Sequence, residues 1–309
     1  MNAWPDIPFK PWADTCAALH LYTQIVGKYR LAHTPWINHS WHAAFYLTAR
    51  GITTGPIPDG AATEVSFDFI DHKVVASAVD GRQAVMDLQP MTTAAFDKAF
   101  KALIADIGGD PRYHGAPNEI ADPVPFADDT APRPYDRAAV NRFFIALSLI
   151  SHVMKEFRTG FLGKASPVHL FWGSFDLAVT RFSGRRAPLH PGGVPALPDA
   201  VTQEAYSHEV SSAGFWPGGG PTDFPAFYSY AYPGPEGFSK ATIEPASAYW
   251  HDGAGEFILP YDEVRLSPDP AATLTAFLQS TYEAAVALGN WDRQALERPI
   301  GPVGKPPAF

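Results

Sequence analysis

Five histidines stand in apolar surroundings: His39 and His42 in "NHSWH", His72 in "FDFIDH", His169 in "SPVHLFW" and His208 in "AYSHEV". Neutral imidazole is a ligand for Zn, Fe or Mn, and a carboxylate completes such a set. The expected site joins His169 and His208 to His39 or His72, with a carboxylate from Asp68, Asp176 or Glu209. A divalent metal held there with an open position would activate water or dioxygen, with Asp176 and Glu209 as the catalytic carboxylates. The competing reading is structural, because a lone histidine on an apolar face is as a rule a hydrogen-bonded core residue. Several in similar settings raise the case that at least two converge.

A second set could orient a substrate. "FSGRRAP" places Arg181, Arg185 and Arg186 close together at a strand end, where guanidinium groups grip a carboxylate or phosphate bidentately. Surface ion pairing with Glu204 or Glu209 would explain them equally well. His20, Gln24 and Lys28 fall at i, i+4 and i+8 on an otherwise apolar helix, a polar line that could look into a pocket. "FWPGGGPTDF" reads as a turn or flap anchored by Phe215 and Trp216. The substrate-binding candidates are therefore Arg181, Arg185, Lys28, Gln24 and Trp216. HExxH, a Walker loop and GxSxG are all absent, and the single Cys16 allows neither an intrachain disulfide nor a cysteine-rich zinc site.

Strand alternation constrains the pairings. Asp68 and His72 share a face if one strand runs through both. His208 and Glu209 point to opposite sides unless a bulge turns one over. Asp176 and Arg181 also have opposite parity. His169 shares parity with Arg181, with Gly173-Ser174 between them as a candidate bend.

The elements that must position these groups follow from periodicity. Helical stripes run over 13–31, 92–107, 135–158 and 270–288. "SWHAAFYLTAR" alternates as a strand over 40–50, and residues 63–88 read as antiparallel strands with a hairpin at Asp80-Gly81. Strands resume near 166. Residues 1–110 form an N-terminal lobe, 111–134 a proline-rich linker over the surface, 135–297 a C-terminal lobe and 298–309 a proline-rich tail. Trp41 precedes Arg50 by nine residues and Trp172 precedes Arg181 by nine, which suggests an internal duplication. The expected fold is α+β: two related helix–antiparallel-sheet–helix lobes about a pseudo-twofold axis, with a site between them.

With 46% hydrophobic residues and a formal net charge of -9, the chain is globular, and no basic run is long enough for nucleic acid or anionic membranes. The start "MNAWPDIPFKPW" lacks the pattern of a signal peptide, and no apolar run would span a bilayer, so a cytoplasmic location is expected.

"PWADTCAALHLYTQIVGKYRL", "SPVHLFWGSFDLAVTRFSGR", "EAYSHEVSSAGFWPG", "AFYSYAYP" and "LPYDEVR" together resemble the bacterial domain-of-unknown-function family 5996, from Trp12 to about Glu297. The resemblance implies one full-length functional unit and carries no catalytic residues to transfer. The sequence thus leads to a small-molecule enzyme with a His/carboxylate metal site and arginines holding an anionic substrate. Its alternative is a metal-free protein that binds a small ligand in an aromatic pocket.

Overall fold

The computed structural model describes residues 4–301 and 303–307, so residues 302, 308 and 309 of the proline-rich tail lie outside the described residues. The first half runs α1 (Phe9–His33), β1 (Tyr46–Leu47), β2 (Gly51–Ile57), β3 (Thr63–Asp68), β4 (Lys73–Ala78), β5 (Gln83–Asp87) and α2 (Thr93–Asp106). The second runs α3 (Arg137–Thr159), β6 (His169–Phe171), β7 (Asp176–Arg186), α4 (Asp199–Ala205), β8 (His208–Trp216), β9 (Ala226–Tyr232), β10 (Tyr249–His251), β11 (Glu256–Pro260), α5 (Tyr261–Arg265), α6 (Pro270–Leu288) and α7 (Arg293–Leu296). This is an α+β fold with two antiparallel sheets.

The four long helices lie close to the stripes read from the sequence, and their starts have local causes. Thr92 caps α2 by accepting from the Ala95 N–H at 3.0 Å. Asp136 caps α3 by accepting from the Ala138 and Ala139 N–H groups. Asp269 caps α6 by accepting from the Ala272 N–H, with Pro270 in the first turn.

The first sheet is a meander, β1-β2-β3-β4-β5. Alternate residues Val65, Phe67, Val74 and Ala76 are buried and share one core with Tyr22 of α1 and Phe96 of α2. The second sheet has the order β10-β11-β9-β8-β7-β6. Its first strand in the chain, β6, meets the first strand of the other sheet. Phe45 and Leu170 exchange both backbone hydrogen bonds at 2.8 Å, so the sheets join at a seam between the two halves.

Three expectations meet a different local structure. Residues 40–50 are not one strand: His39 (φ 61°) and Ser40 (φ 59°) adopt the left-handed region, and only Tyr46–Leu47 pairs as β1. The nine-residue spacing does not place equivalent arginines. Arg50 sits exposed beside the β1–β2 turn, paired with Asp68 and Asp71, whereas Arg181 is buried in the middle of β7. The proline-rich segment 111–134 is more than a surface linker. It inserts Phe126 wholly into the core and buries Asn118, which Gln24 of α1 clamps from both sides of its backbone. No described helix is long and apolar enough to cross a membrane.

Candidate functional site

The second sheet has two unlike faces. Leu177, Val179, Ala213, Phe215, Phe227, Phe257 and Leu259 belong to the main core that α3 and α6 complete. The alternate residues Asp176, Ala178, Thr180, Ser212, Trp216, Tyr228, Tyr230 and Glu256 line a cavity of about 630 Å³. That volume suits a small organic molecule. Lys28 of α1, Trp36, His39 and His42 after α1, and Asn118 and Glu119 from the proline-rich segment supply the opposite wall. Val194, Ala196, Leu197 and Pro198 close it further.

Three carboxyl groups from three separate elements share this space. Asp176 is buried and accepts hydrogen bonds from the hydroxyls of Ser174 and Tyr228. Burial raises its pKa, and the two donors oppose that rise. Glu256 is pushed up to about 8 by burial and by the nearby negative charge of Asp176. Its Oε2 is buried with no hydrogen-bond partner among the described residues. Glu119 is pushed up to about 7 by burial and Asp176, against the attraction of Lys28. Burial lowers Lys28 to about 8, and its ammonium donates to Asn118 Oδ1. Such groups exchange protons close to neutral pH, and as neighbours they titrate as a set.

The aromatic lining is ordered by the same alternation. Trp216 stacks on Tyr228 with ring centroids 4.2 Å apart. The hydroxyls of Tyr206 and Tyr230 are 2.7 Å apart. Two glycines make the arrangement sterically accessible. A side chain at Gly173 would collide with the Glu119 carboxyl, and one at Gly214 would collide with the Tyr228 ring.

Backbone strain also concentrates here. Eight described residues other than glycine have positive φ, and four of them line the cavity: His39, Ser40, Glu119 (59°) and Ala196 (52°). Left-handed backbone at such residues is costly and persists where surrounding structure enforces it, commonly at functional sites.

Of the residues expected from the sequence, the cavity brings together Asp176, Lys28, Trp216 and His39. Gln24 stands behind that wall, where it holds Asn118 rather than facing the space. The other histidines lie apart. His72 (φ 55°) is in the turn after β3, so alternation from Asp68 does not reach it, and its Nδ1 meets the Tyr135 hydroxyl at 3.0 Å. His169 sits at the seam between the sheets, lowered to about 3 by burial and by Arg30. His208 approaches His39 with ring centroids 6.2 Å apart, but Lys164 Nζ donates to His39 Nε2 at 2.6 Å. Among the described residues, no three His, Cys, Asp or Glu side chains are grouped to hold a metal ion.

The arginines are also elsewhere. The β6–β7 turn reverses at Phe175 (φ 57°), so His169 pairs with Ala178 and Arg181 faces away from it. Arg181 is packed over the rings of Phe157 and Tyr282, 3.5 and 4.2 Å from their centroids. Arg185 pairs with Glu209 at 2.7 Å and donates to the Gly289 and Asn290 carbonyls, fastening β7 to the end of α6. Glu209 is engaged by that ion pair and by the Ser183 hydroxyl, outside the large cavity.

Glu119, Glu256 and the cavity tyrosines Tyr206, Tyr228 and Tyr230 were not selected from the sequence. Two of the tyrosines had a signal: Tyr228 and Tyr230 alternate, with Tyr232 after them, along "AFYSYAYP". Glu256 opens β11 after a tight turn, and Glu119 lies in a segment without periodicity, so neither had one.

The family model for DUF5996, described as a family of unknown function, matches residues 4–298. The chain belongs to this family. The match covers both halves and the segment between them, so the cavity lies wholly within the family unit. No curated protein and no solved structure matches the chain.

Proposed function

We propose that the cavity is the active site of a small-molecule enzyme that works by proton transfer between carboxyl groups and its bound substrate. The observation that carries this reading is the meeting of Asp176, Glu119 and Glu256 in one buried, aromatic-lined space. Glu256, raised above neutrality and with one oxygen free of partners, is the proton donor in this reading. Glu119, close to neutral, takes the complementary role of base. Asp176, fixed by Ser174 and Tyr228, supplies negative charge that raises both glutamates, while Lys28 pulls Glu119 alone back down. Lys28 balances one of the charges as it forms. The side facing these acids suits a neutral or cationic part of the substrate, with stacking on Trp216 and Tyr228.

The test is consumption of individual compounds from a metabolite mixture, followed by mass spectrometry at several pH values. Loss of one compound with wild-type protein, abolished in Glu256→Gln and Glu119→Gln, is the expected outcome. Retention of a compound without turnover in any condition would remove the catalytic reading. It would favour the second one, a metal-free binding protein, which the aromatic lining by Trp36, Trp172, Trp216, Tyr206, Tyr228 and Tyr230 supports. The divalent-metal form of the enzyme is a separate proposal, tested by elemental analysis of untagged protein before and after loading with Zn, Fe or Mn. A cytoplasmic location is likewise a proposal, supported by the lack of a membrane-crossing helix among the described residues.

A further inference from the structure

A buried cation without a counter-charge sits beside the cavity. Arg30 of α1 is 7% exposed, and it takes part in none of the ion pairs among the described residues. Its Nε and Nη1 have no hydrogen-bond partner there, and the group it does interact with is the neutral Tyr46 side chain. The neighbours add further unpartnered ring nitrogens. His42, 1% exposed, has a buried Nε2 without a partner, while its Nδ1 lies 3.2 Å from the Ile37 N–H nitrogen. Nδ1 is equally near the Ile37 carbonyl oxygen, so Nε2 is left without a partner in either tautomer, and it is the N–H donor when Nδ1 accepts. His169, 0% exposed, has both ring nitrogens unpartnered, and one of them must be a donor.

These groups are one cluster. The Arg30 guanidinium lies 5.5 Å from the Tyr46 ring centre, and Tyr46 and His169 have ring centroids 6.4 Å apart. Both histidines are lowered in part by the charge of Arg30. The cluster stands at the seam: with Phe45 paired to Leu170, Tyr46 stands opposite His169. His42 belongs to it and also to the cavity wall.

A buried guanidinium with no carboxylate partner, beside two imidazoles with unpartnered ring nitrogens, is costly to keep. Water relieves hydrogen bonding but leaves the charge; an anion relieves both. We propose that Arg30, His42 and His169 form a binding site for a monoanionic group of carboxylate or halide size at the seam between the two sheets. Arg30 supplies the charge and two N–H donors, His169 one N–H, and His42 a further one in its Nε2–H tautomer; His42 also joins the site to the cavity. The anion has two sources, a free ion or the carboxylate of the molecule in the cavity. Neither depends on the acid–base reading, since occupancy requires no turnover.

Bromide is the probe. Crystals of the full chain soaked in sodium bromide should show an anomalous peak within hydrogen-bond reach of Arg30 and His169. In solution, sodium formate titrated at constant ionic strength should raise the unfolding temperature and saturate. Arg30→Gln should weaken that binding by at least about tenfold, the loss expected for one charge-assisted contact. If that variant does not fold, His169→Phe keeps the ring and tests the same site. Mass spectrometry of small molecules released from denatured protein separates the sources. A carboxylate whose retention requires both Arg30 and Glu256 identifies the cavity ligand, and bromide binding to protein free of organic molecules identifies a free ion. A water in place of bromide, or formate stabilisation equal in wild type and Arg30→Gln, overturns the proposal.

Discussion

Asp176 and Arg181 lie five residues apart on one strand, both buried and on opposite faces of one sheet, yet they are treated in opposite ways. Arg181 is enclosed by Phe157, Phe161 and Tyr282, and donates to the Phe157 carbonyl at the end of α3. Packing matter fills its surroundings. Asp176 is buried as deeply but fronts an open volume, with Glu256 and Glu119 across it. The first arrangement uses a charge to join helix and sheet. The second keeps charges close together with room left for something else. Burial of an ionisable group is therefore not what marks a site; burial against unfilled space, with two glutamates raised by that burial and by a neighbouring aspartate, is.

The contrast breaks if Arg181 proves dispensable. Arg181→Ala removes the side chain from its aromatic enclosure and orphans the Phe157 carbonyl, and should cost about 3 to 5 kcal/mol by urea denaturation. Arg181→Met, which fills the same space without charge, should recover most of that loss. Ligand occupancy of the cavity should be unchanged in any Arg181 variant that folds.

Glu256→Gln should act in the reverse sense. The folded-state pKa of Glu256 is about 8 against an ordinary 4.5, so the folded chain holds this proton more tightly than the unfolded one. The associated stability is complete below about pH 4.5 and is lost as pH rises through 8. A glutamine does not titrate. The variant should therefore gain on wild type across that window by a few kcal/mol, at about 1.4 kcal/mol for each tenfold difference in proton affinity between the folded and unfolded chain. The gain should vanish at pH 4. Turnover or ligand binding should fall at the same time. A variant equally stable to wild type at pH 4 and pH 9 would show that Glu256 is not held in an acid-raising site.

Gly173→Ala tests the seat of Glu119 with a smaller effect. The added methyl meets the Glu119 carboxyl, a side-chain end that can swing away. Stability should drop by about 1 kcal/mol, within the ordinary range for a crowded position. Ligand affinity should drop more, because the carboxyl leaves the cavity wall.

How far this contrast was readable from the sequence differs between its two sides. The apolar face was legible, because Val140, Phe144, Leu147 and Met154 of α3 and Leu274, Phe277 and Leu278 of α6 repeat at helical spacing and are buried. The opposite parity of Asp176 and Arg181 was legible too. Equal parity of His169 and Arg181 misled, because Phe175 turns left-handed and resets the count between β6 and β7. The metal expectation drew on histidines that share a chemical type; which of them meet is decided by turns at His39, His72 and Phe175 that periodicity does not encode. Glu119 was illegible for a further reason. Its place depends on Gln24 holding Asn118 across 94 residues of chain, a contact with no local signature.

The smallest effect sharpens the comparison from outside it. Glu209 is half-way between the two cases: a carboxylate on the same sheet, partly buried, with its charge answered by Arg185 and its Oε2 accepting from Ser183. Arg185 is about half exposed, so solvent screens the pair and only a modest contribution is expected. Glu209→Gln should lower stability by at most about 1 kcal/mol, with the loss reduced at high salt. It should leave ligand binding and turnover unchanged, because Glu209 lies outside the large cavity and its partners fasten β7 to the end of α6. A loss of turnover in Glu209→Gln with stability intact would move the chemistry out of the cavity and towards the cleft that Arg185, Glu209 and Trp291 line. Unchanged turnover beside its loss in Glu256→Gln would separate two glutamates of one sheet by their surroundings alone, one answered by a neighbour and one left open to a ligand.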